Sequence, residues 1–388
     1  MRDTLVSREA RWALQCASAI WGQEACCLAA CDKTENWDRF LNFSHYHGLI
    51  PAVYLGAKRC GIELPAEVNE VLRNTTYLSM VQNQRYLQEY KRLSEVFEAA
   101  SISMMPIKGA DLLQRYSSQN QSRPMADIDI LVQPQDVEAA AELLCSQGYQ
   151  EELLGCRREY WQQSGYHRSF LKPGIGVGAG IFVELHWLLD NPRPGPVLLP
   201  ELWERSAPQA EHVHHVRRMS PEDVLFALAL HNRRFAFSLS LKMAFDTADL
   251  LRRHEGDFDW DYVLKTARNG KMRATLFFCL SQAALFFGAR IQDPIWKALG
   301  ISMLRRSRIQ NLLLGCTEYE YSAKKNKQLF LRTHWLLHDN YWEPLRYILQ
   351  IPQEQFAKYY GLEPYTPRTE CIHRWRLPYM LWNLITEN

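Results

Sequence analysis

Residues 126–132 read Ala126-Asp127-Ile128-Asp129-Ile130-Leu131-Val132, and no other run in the chain says more about its architecture. Acidic and β-branched residues alternating over a short run predict a strand with one buried face. Side chains on a strand alternate between faces, so Asp127 and Asp129 are expected on the same side, about 7 Å apart along the chain. Ile128 and Ile130 then point into a core. Two carboxylates this close repel each other and are costly to desolvate. Hard divalent cations relieve both costs. Mg2+ takes carboxylate oxygens while keeping positions open for substrate phosphates, and two such ions can hold the attacking and leaving oxygens of a phosphoryl transfer.

The flanking segments supply matching pieces. Downstream, Ile181-Phe182-Val183-Glu184-Leu185-His186-Trp187 predicts a second strand. If it pairs beside the first, Glu184 joins Asp127 and Asp129 as a third carboxylate, a metal ligand or a proton acceptor. His186 falls on the same side, either as a phosphate contact or as a hydrogen-bonded structural histidine. Upstream, residues 101–113 read as a strand, a turn at Lys108-Gly109 and a helix. Glycine in such a turn lets backbone amides approach a phosphate, and Lys108 adds a point charge for a triphosphate. Arg123 is a candidate phosphate or acceptor clamp. Singly these motifs are weak, since a lone Asp-x-Asp is common on exposed strands and a Lys-Gly pair says almost nothing. Their order carries the weight.

That order resembles the minimal nucleotidyltransferase fold of the DNA polymerase β superfamily, with its glycine-containing turn, paired-acid strand and later strand bearing a third acid. More narrowly, the chain is similar to the uncharacterised nucleotidyltransferase family of bacteria. The likeness runs through Phe43-x-His45-x-His47-Gly48-Leu49-Ile50-Pro51, Ile107-Lys108-Gly109-Ala110 and Arg123-x-Met125-x-Asp127-Ile128-Asp129-Ile130-Leu131-Val132. It continues through Gly148-Tyr149, Val183-Glu184-Leu185-His186-Trp187, Ser220-Pro221-Glu222-Asp223, His231, Asp246 and Asp259-Trp260. The resemblance implies an α+β fold, a mixed-sheet core flanked by N-terminal and C-terminal helical regions. It also implies transfer of a nucleoside monophosphate from an NTP, ATP among them, to an acceptor hydroxyl or phosphate. Mg2+, or Mn2+ in its place, would be held by Asp127, Asp129 and Glu184. Lys108, Gly109, Arg123 and His186 would hold the nucleotide. One departure stands out: the superfamily turn is usually glycine followed by serine, and Ala110 replaces the serine here. The acceptor stays open between a small molecule, a peptide and an RNA. Two other readings stay open as well: a toxin-like enzyme that modifies tRNA or protein, and a non-catalytic nucleotide-binding scaffold.

Around this core the chain reads as helical. Residues 1–100 form one expected region, with apolar spacing at Leu78, Val81, Leu87, Leu93 and Phe97; residues 101–200 form the core; residues 201–388 form a second helical region. Expected helices there span roughly 239–253, 260–269, 272–287, 303–316 and 323–338, with Ser220 as an N-cap. His231-x-Arg233-Arg234 is expected to place cations at a helix C-terminus. The bulk composition excludes several classes. Of 388 residues, 47% are hydrophobic and 23% charged, with a net charge of +2, which fits a globular chain rather than a polybasic nucleic-acid coat. No run reaches the roughly 18 apolar residues of a membrane span, and no signal peptide is expected. The ten cysteines, including Cys26, Cys27 and Cys31, lack metal-ligand spacing and fit buried thiols of a reducing cytoplasm. The histidines at 212, 214 and 215 lack a partner ligand. The basic stretches at 305–308 and 324–327 read as solvated helix faces.

Overall fold

The strand predicted around Asp129 lies near the middle of a seven-stranded mixed sheet. The computed structural model describes residues 7–22, 36–115, 123–153, 156–157, 160, 165–174, 180–192, 199, 201–210, 213–236, 240–315 and 331–386. The Cys26, Cys27 and Cys31 cluster, His212 and the basic stretch at 324–327 lie outside them. The N-terminal helices are α1 (Arg8–Ser18), α2 (Trp37–Tyr46), α3 (Ile50–Arg59) and α4 (Ala66–Ala99). The sheet region follows as β1 (Met104–Ile107), α5 (Lys108–Arg115), β2 (Ile128–Val132), α6 (Val137–Ser146), β3 (Gln150–Glu152), β4 (His167–Lys172) and β5 (Ile181–His186). Next come α7 (Leu202–Arg205), β6 (Ala207–Ala210), β7 (Val213–Arg218), α8 (Pro221–Arg234), α9 (Lys242–Arg253), α10 (Trp260–Asn269) and α11 (Arg273–Phe287), with further helices reaching Thr386. The strand order is β3-β4-β5-β2-β1-β7-β6.

Local chemistry accounts for the main boundaries. Ser220 caps α8 by accepting from the Asp223 amide, which satisfies one of the unpaired donors of the first turn. Pro221 sits at the position where its missing N–H costs nothing. α6 ends before Gly148, whose φ of 84° is open to glycine at little cost.

Register fixes what shares a face. β2 runs parallel to β5, pairing Asp129 with Glu184 and Leu131 with His186. β4 runs antiparallel to β5 and sets His167 opposite His186. One face carries Met104, Ile128, Ile130, Phe170, Val183 and Leu185, packed against Tyr86, Tyr90, Leu93 and Phe97 of α4 and against Leu113 and Leu144. Alternation turns Asp129, Glu184 and His186 to the other face with Leu131. There Met105, Ile107 and Leu131 join a second core built from both ends of the chain, including Phe40, Val53, Phe226, Phe245 and Phe278. The α+β class and the mixed sheet with helices on both sides are as expected. The two helical regions share one core around the acidic face.

The apolar spacing read along α4 needs correction. Leu93 and Phe97 are buried, but Leu78 and Val81 are 71% and 70% exposed. The buried stripe runs through Val68, Leu72, Thr76, Asn83, Tyr86, Tyr90, Leu93 and Phe97. Thr76 and Asn83 are polar, so counting apolar residues alone misplaced that face. Among the described residues, no helix is long and apolar enough to cross a membrane.

Candidate active site

Asp129 is the hub. Its Oδ1 accepts from Lys108 Nζ at 2.5 Å and lies 3.0 Å from His186 Nε2. The same Nε2 is 3.1 Å from Glu184 Oε2, and Lys108 Nζ is 3.7 Å from that oxygen. Carboxylates only accept, so the imidazole nitrogen facing both must carry its proton. His167 stacks on His186 with ring centroids 5.0 Å apart, its Nε2 3.7 Å from Glu184 Oε1.

Charge balance sets the ionisation of the group. Burial opposes the charge on Asp129, but Lys108 and His186 outweigh it and hold the carboxyl well below the usual carboxylate range. Burial likewise works against Glu184, and the hydrogen bond from His186 carries it down. Lys108 is raised above the ordinary lysine value, because Asp129 and Glu184 overcome its burial. Asp127 goes the other way. It lies just before β2 rather than in it, and burial with the charges of Asp129 and Glu184 pushes its carboxyl up to about 6. His167 is lowered to about 4 by burial and by its neighbour His186.

The Lys-Gly turn divides its work differently from the simplest reading. Lys108, not Gly109, adopts the left-handed φ of 53°, a conformation that costs a non-glycine residue energy. Gly109 lies within α5, and its missing side chain serves close packing. A Cβ there would lie 2.8 Å from Arg123 Nη1 and 3.1 Å from Met125 Cγ. Arg123 is buried and gives its Nε to both oxygens of Asp246, at 3.0 and 2.9 Å. So Arg123 reaches the turn but spends one edge of its guanidinium on α9. Ala110 is fully buried in the core under the opposite sheet face.

Residues far away in sequence hold these pieces. Asn83 of α4 donates to the Arg123 carbonyl at 2.8 Å and accepts from the Met125 amide at 3.0 Å, and Tyr86 donates to the Ala126 carbonyl at 2.7 Å. Together they set the approach to Asp127. His47 is buried and accepts from the Leu241 amide at 3.2 Å; burial lowers its pKa to about 3, which keeps that nitrogen an acceptor. His231 is driven well below the ordinary histidine value by burial and by the positive charge of Lys108.

A family model described as uncharacterised nucleotidyltransferase matches residues 33–288. The chain belongs to this nucleotidyltransferase family. No match was found among curated proteins or among solved structures. In this nucleotidyltransferase, Asp129, Glu184 and His186 each offer a ligand atom within 4.8 Å of one another, and the family points to a transferase. No other such group of His, Cys, Asp and Glu occurs among the described residues. The two carboxylate oxygens fit a divalent cation where an ammonium now sits, with the His186 N–H bridging them rather than ligating.

Asn83, Tyr86 and His167 carried no signal in the sequence. Lys242 did carry one, standing four residues before Asp246 and hence on the same face of α9. His214 and His215 present backbone amides to Glu98 at 3.0 and 2.7 Å. Of the cations closing α8, Arg233 pairs with Asp190, and Arg234 lies over the Tyr166 ring, 4.6 Å from its centroid.

Proposed function

We propose that this protein moves a nucleoside monophosphate from an NTP to an acceptor hydroxyl or phosphate, releasing pyrophosphate, with Mg2+ as the supporting ion. One observation carries the reading: two carboxylates, Asp129 and Glu184, stand side by side on paired strands, Asp127 lies two residues ahead of Asp129 within reach of their charge, and a single ammonium, Lys108, is in contact with the pair. A group of that charge is short of cations, and a buried excess of like charge is stable only when something positive arrives. A bound divalent ion would supply charge neutralisation of the triphosphate and of the oxygens entering and leaving phosphorus.

The chain's own residues do the rest. Asp129 and Glu184, with Asp127 beside them, form the acidic wall. Lys108 would bind a phosphoryl oxygen beside Asp129, and its left-handed backbone sets it at the mouth of the turn. Arg123 keeps its Asp246 bond and offers its remaining N–H groups toward the Gly109 turn. The acceptor oxygen attacks the α-phosphorus, the bond from that phosphorus to the bridging oxygen breaks, and pyrophosphate leaves. Glu184 has a side chain 29% exposed against 3% for Asp129, so it is the acid an acceptor can reach, and it takes the acceptor's proton. His186 holds Asp129 and Glu184 together through one N–H. We place this chemistry in a core at residues 101–200 with helical regions on either side, working in the cytoplasm.

The test uses each α-labelled NTP with Mg2+ or Mn2+ and candidate small-molecule, peptide and RNA acceptors. An Asp127→Ala/Asp129→Ala variant serves as the control. Label transfer is expected with the wild type and absent with the variant. Transfer that persists in the variant discards the site.

A further inference from the structure

Three cations stand within electrostatic reach of the acids, Lys108, Arg234 and Lys242, and a fourth, Arg123, lies against the Gly109 turn. Of the four, three are already engaged. Lys108 contacts Asp129 and Glu184, Arg123 is fixed by Asp246, and Arg234 lies over Tyr166. The Lys242 ammonium pairs with no carboxylate among the described residues.

Its backbone setting is built by the rest of the family pattern. His47 takes the amide of Leu241, the residue before it. Gly48, held at a φ of 62°, abuts its aliphatic stem: a Cβ on Gly48 would sit 3.5 Å from Lys242 Cδ and 3.8 Å from Pro124 Cγ. One turn along α9, Asp246 fixes Arg123. The His47-Gly48 segment, the approach to Asp127 and the start of α9 therefore meet at one lysine. That lysine occupies an unfavourable place for a cation, since the first residue of a helix sits at the positive end of its dipole. Burial and the charge of Arg123 lower it to about 8. A half-buried ammonium in such a place, beside a second cation, calls for an anion.

We propose that Lys242 is the triphosphate anchor contributed by the C-terminal helices, binding phosphoryl oxygens of the NTP across from the carboxylates; this rests on the nucleotide-transfer reading above. The sheet supplies acids for the metal side of the nucleotide, and α9 supplies the cation for its far side. The Asp246–Arg123 pair sets the spacing between the two.

Titration calorimetry of the full-length protein with Mg2+–tripolyphosphate and with a non-hydrolysable Mg2+–NTP tests it. Lys242→Met is expected to weaken both by about 10- to 30-fold, the size of a lost charge-assisted hydrogen bond, while Lys242→Arg stays within about threefold. The melting temperature of ligand-free Lys242→Met is expected to equal or exceed that of wild type. Binding by Lys242→Met within twofold of wild type overturns this proposal and leaves the transfer reading intact. A wild type that binds neither probe overturns both. Lost binding with a lowered melting temperature in both variants marks a structural lysine and also overturns it.

Discussion

Adjacent residues on β4, His167 and Arg168, look to opposite faces of the sheet and into two different charge clusters. Arg168 is 2% exposed. Its guanidinium gives two bonds to Glu151, at 2.6 and 2.8 Å, and one to Glu138 at 3.0 Å. Every edge of the fork is used, and Glu138, whose side chain is 61% exposed, leaves its surplus charge in water. His167 faces Asp129, Glu184 and Lys108, where the acids outnumber the cation in contact with them and Asp129 is shut away from solvent. The first cluster is complete as it stands, and the second is complete only with something added. Saturation marks a charge group built for stability, and a buried deficit of cations marks one built to bind.

Exchanging the two faces should give the largest contrast. Asp129→Asn is expected to cut nucleotide transfer by about a thousandfold or more, and also to lower thermal stability, because Lys108 and His186 favour the ionised carboxyl that it removes. Arg168→Leu, which strands Glu151, is expected to destabilise by about 3 kcal/mol yet keep kcat within a few-fold in whatever protein folds. Steady-state kinetics paired with thermal melts read both. A large kcat loss with Arg168→Leu at full stability would erase the distinction.

A smaller effect separates the clusters by pH. Asp127 has a folded pKa of about 6, above the roughly 3.9 of an unfolded aspartate. Its contribution to stability is therefore complete below pH ~4 and lost as pH rises through ~6. Asp127→Asn should accordingly stabilise the metal-free protein by about 1–2 kcal/mol at pH 7.5, after discounting for partial exposure. That gain should fade toward pH 4, and saturating Mg2+ should reverse the order of the two proteins. Melting curves across pH, with and without the ion, check the sign.

The smallest expected effect concerns the turn. Ala110 lies in the core on the face away from the acids. Ala110→Ser should therefore not tighten NTP binding, and should cost up to about 1 kcal/mol by burying a hydroxyl. Tighter binding by this variant would show that α5 presents position 110 to the nucleotide.

The acidic strand was legible because a period of two is written in adjacent residues, and the Lys-Gly turn and the helices at 242–253 and 260–269 were legible for similar local reasons. α4 was misread on its exposed face because Thr76 and Asn83 break the apolar code. The partners of Arg123 were not legible at all: Asp246 is 123 residues away, and nothing local says that α9 returns to that spot.

Which residues could bring negative charge together was written in the amino-acid order alone, since alternation on paired strands is a property of the backbone. Which cations neighbours consume, and which stay available, follows from the folded packing. Ion pairing between distant segments depends on how helices from both ends pack over one sheet face, and no local period encodes that packing.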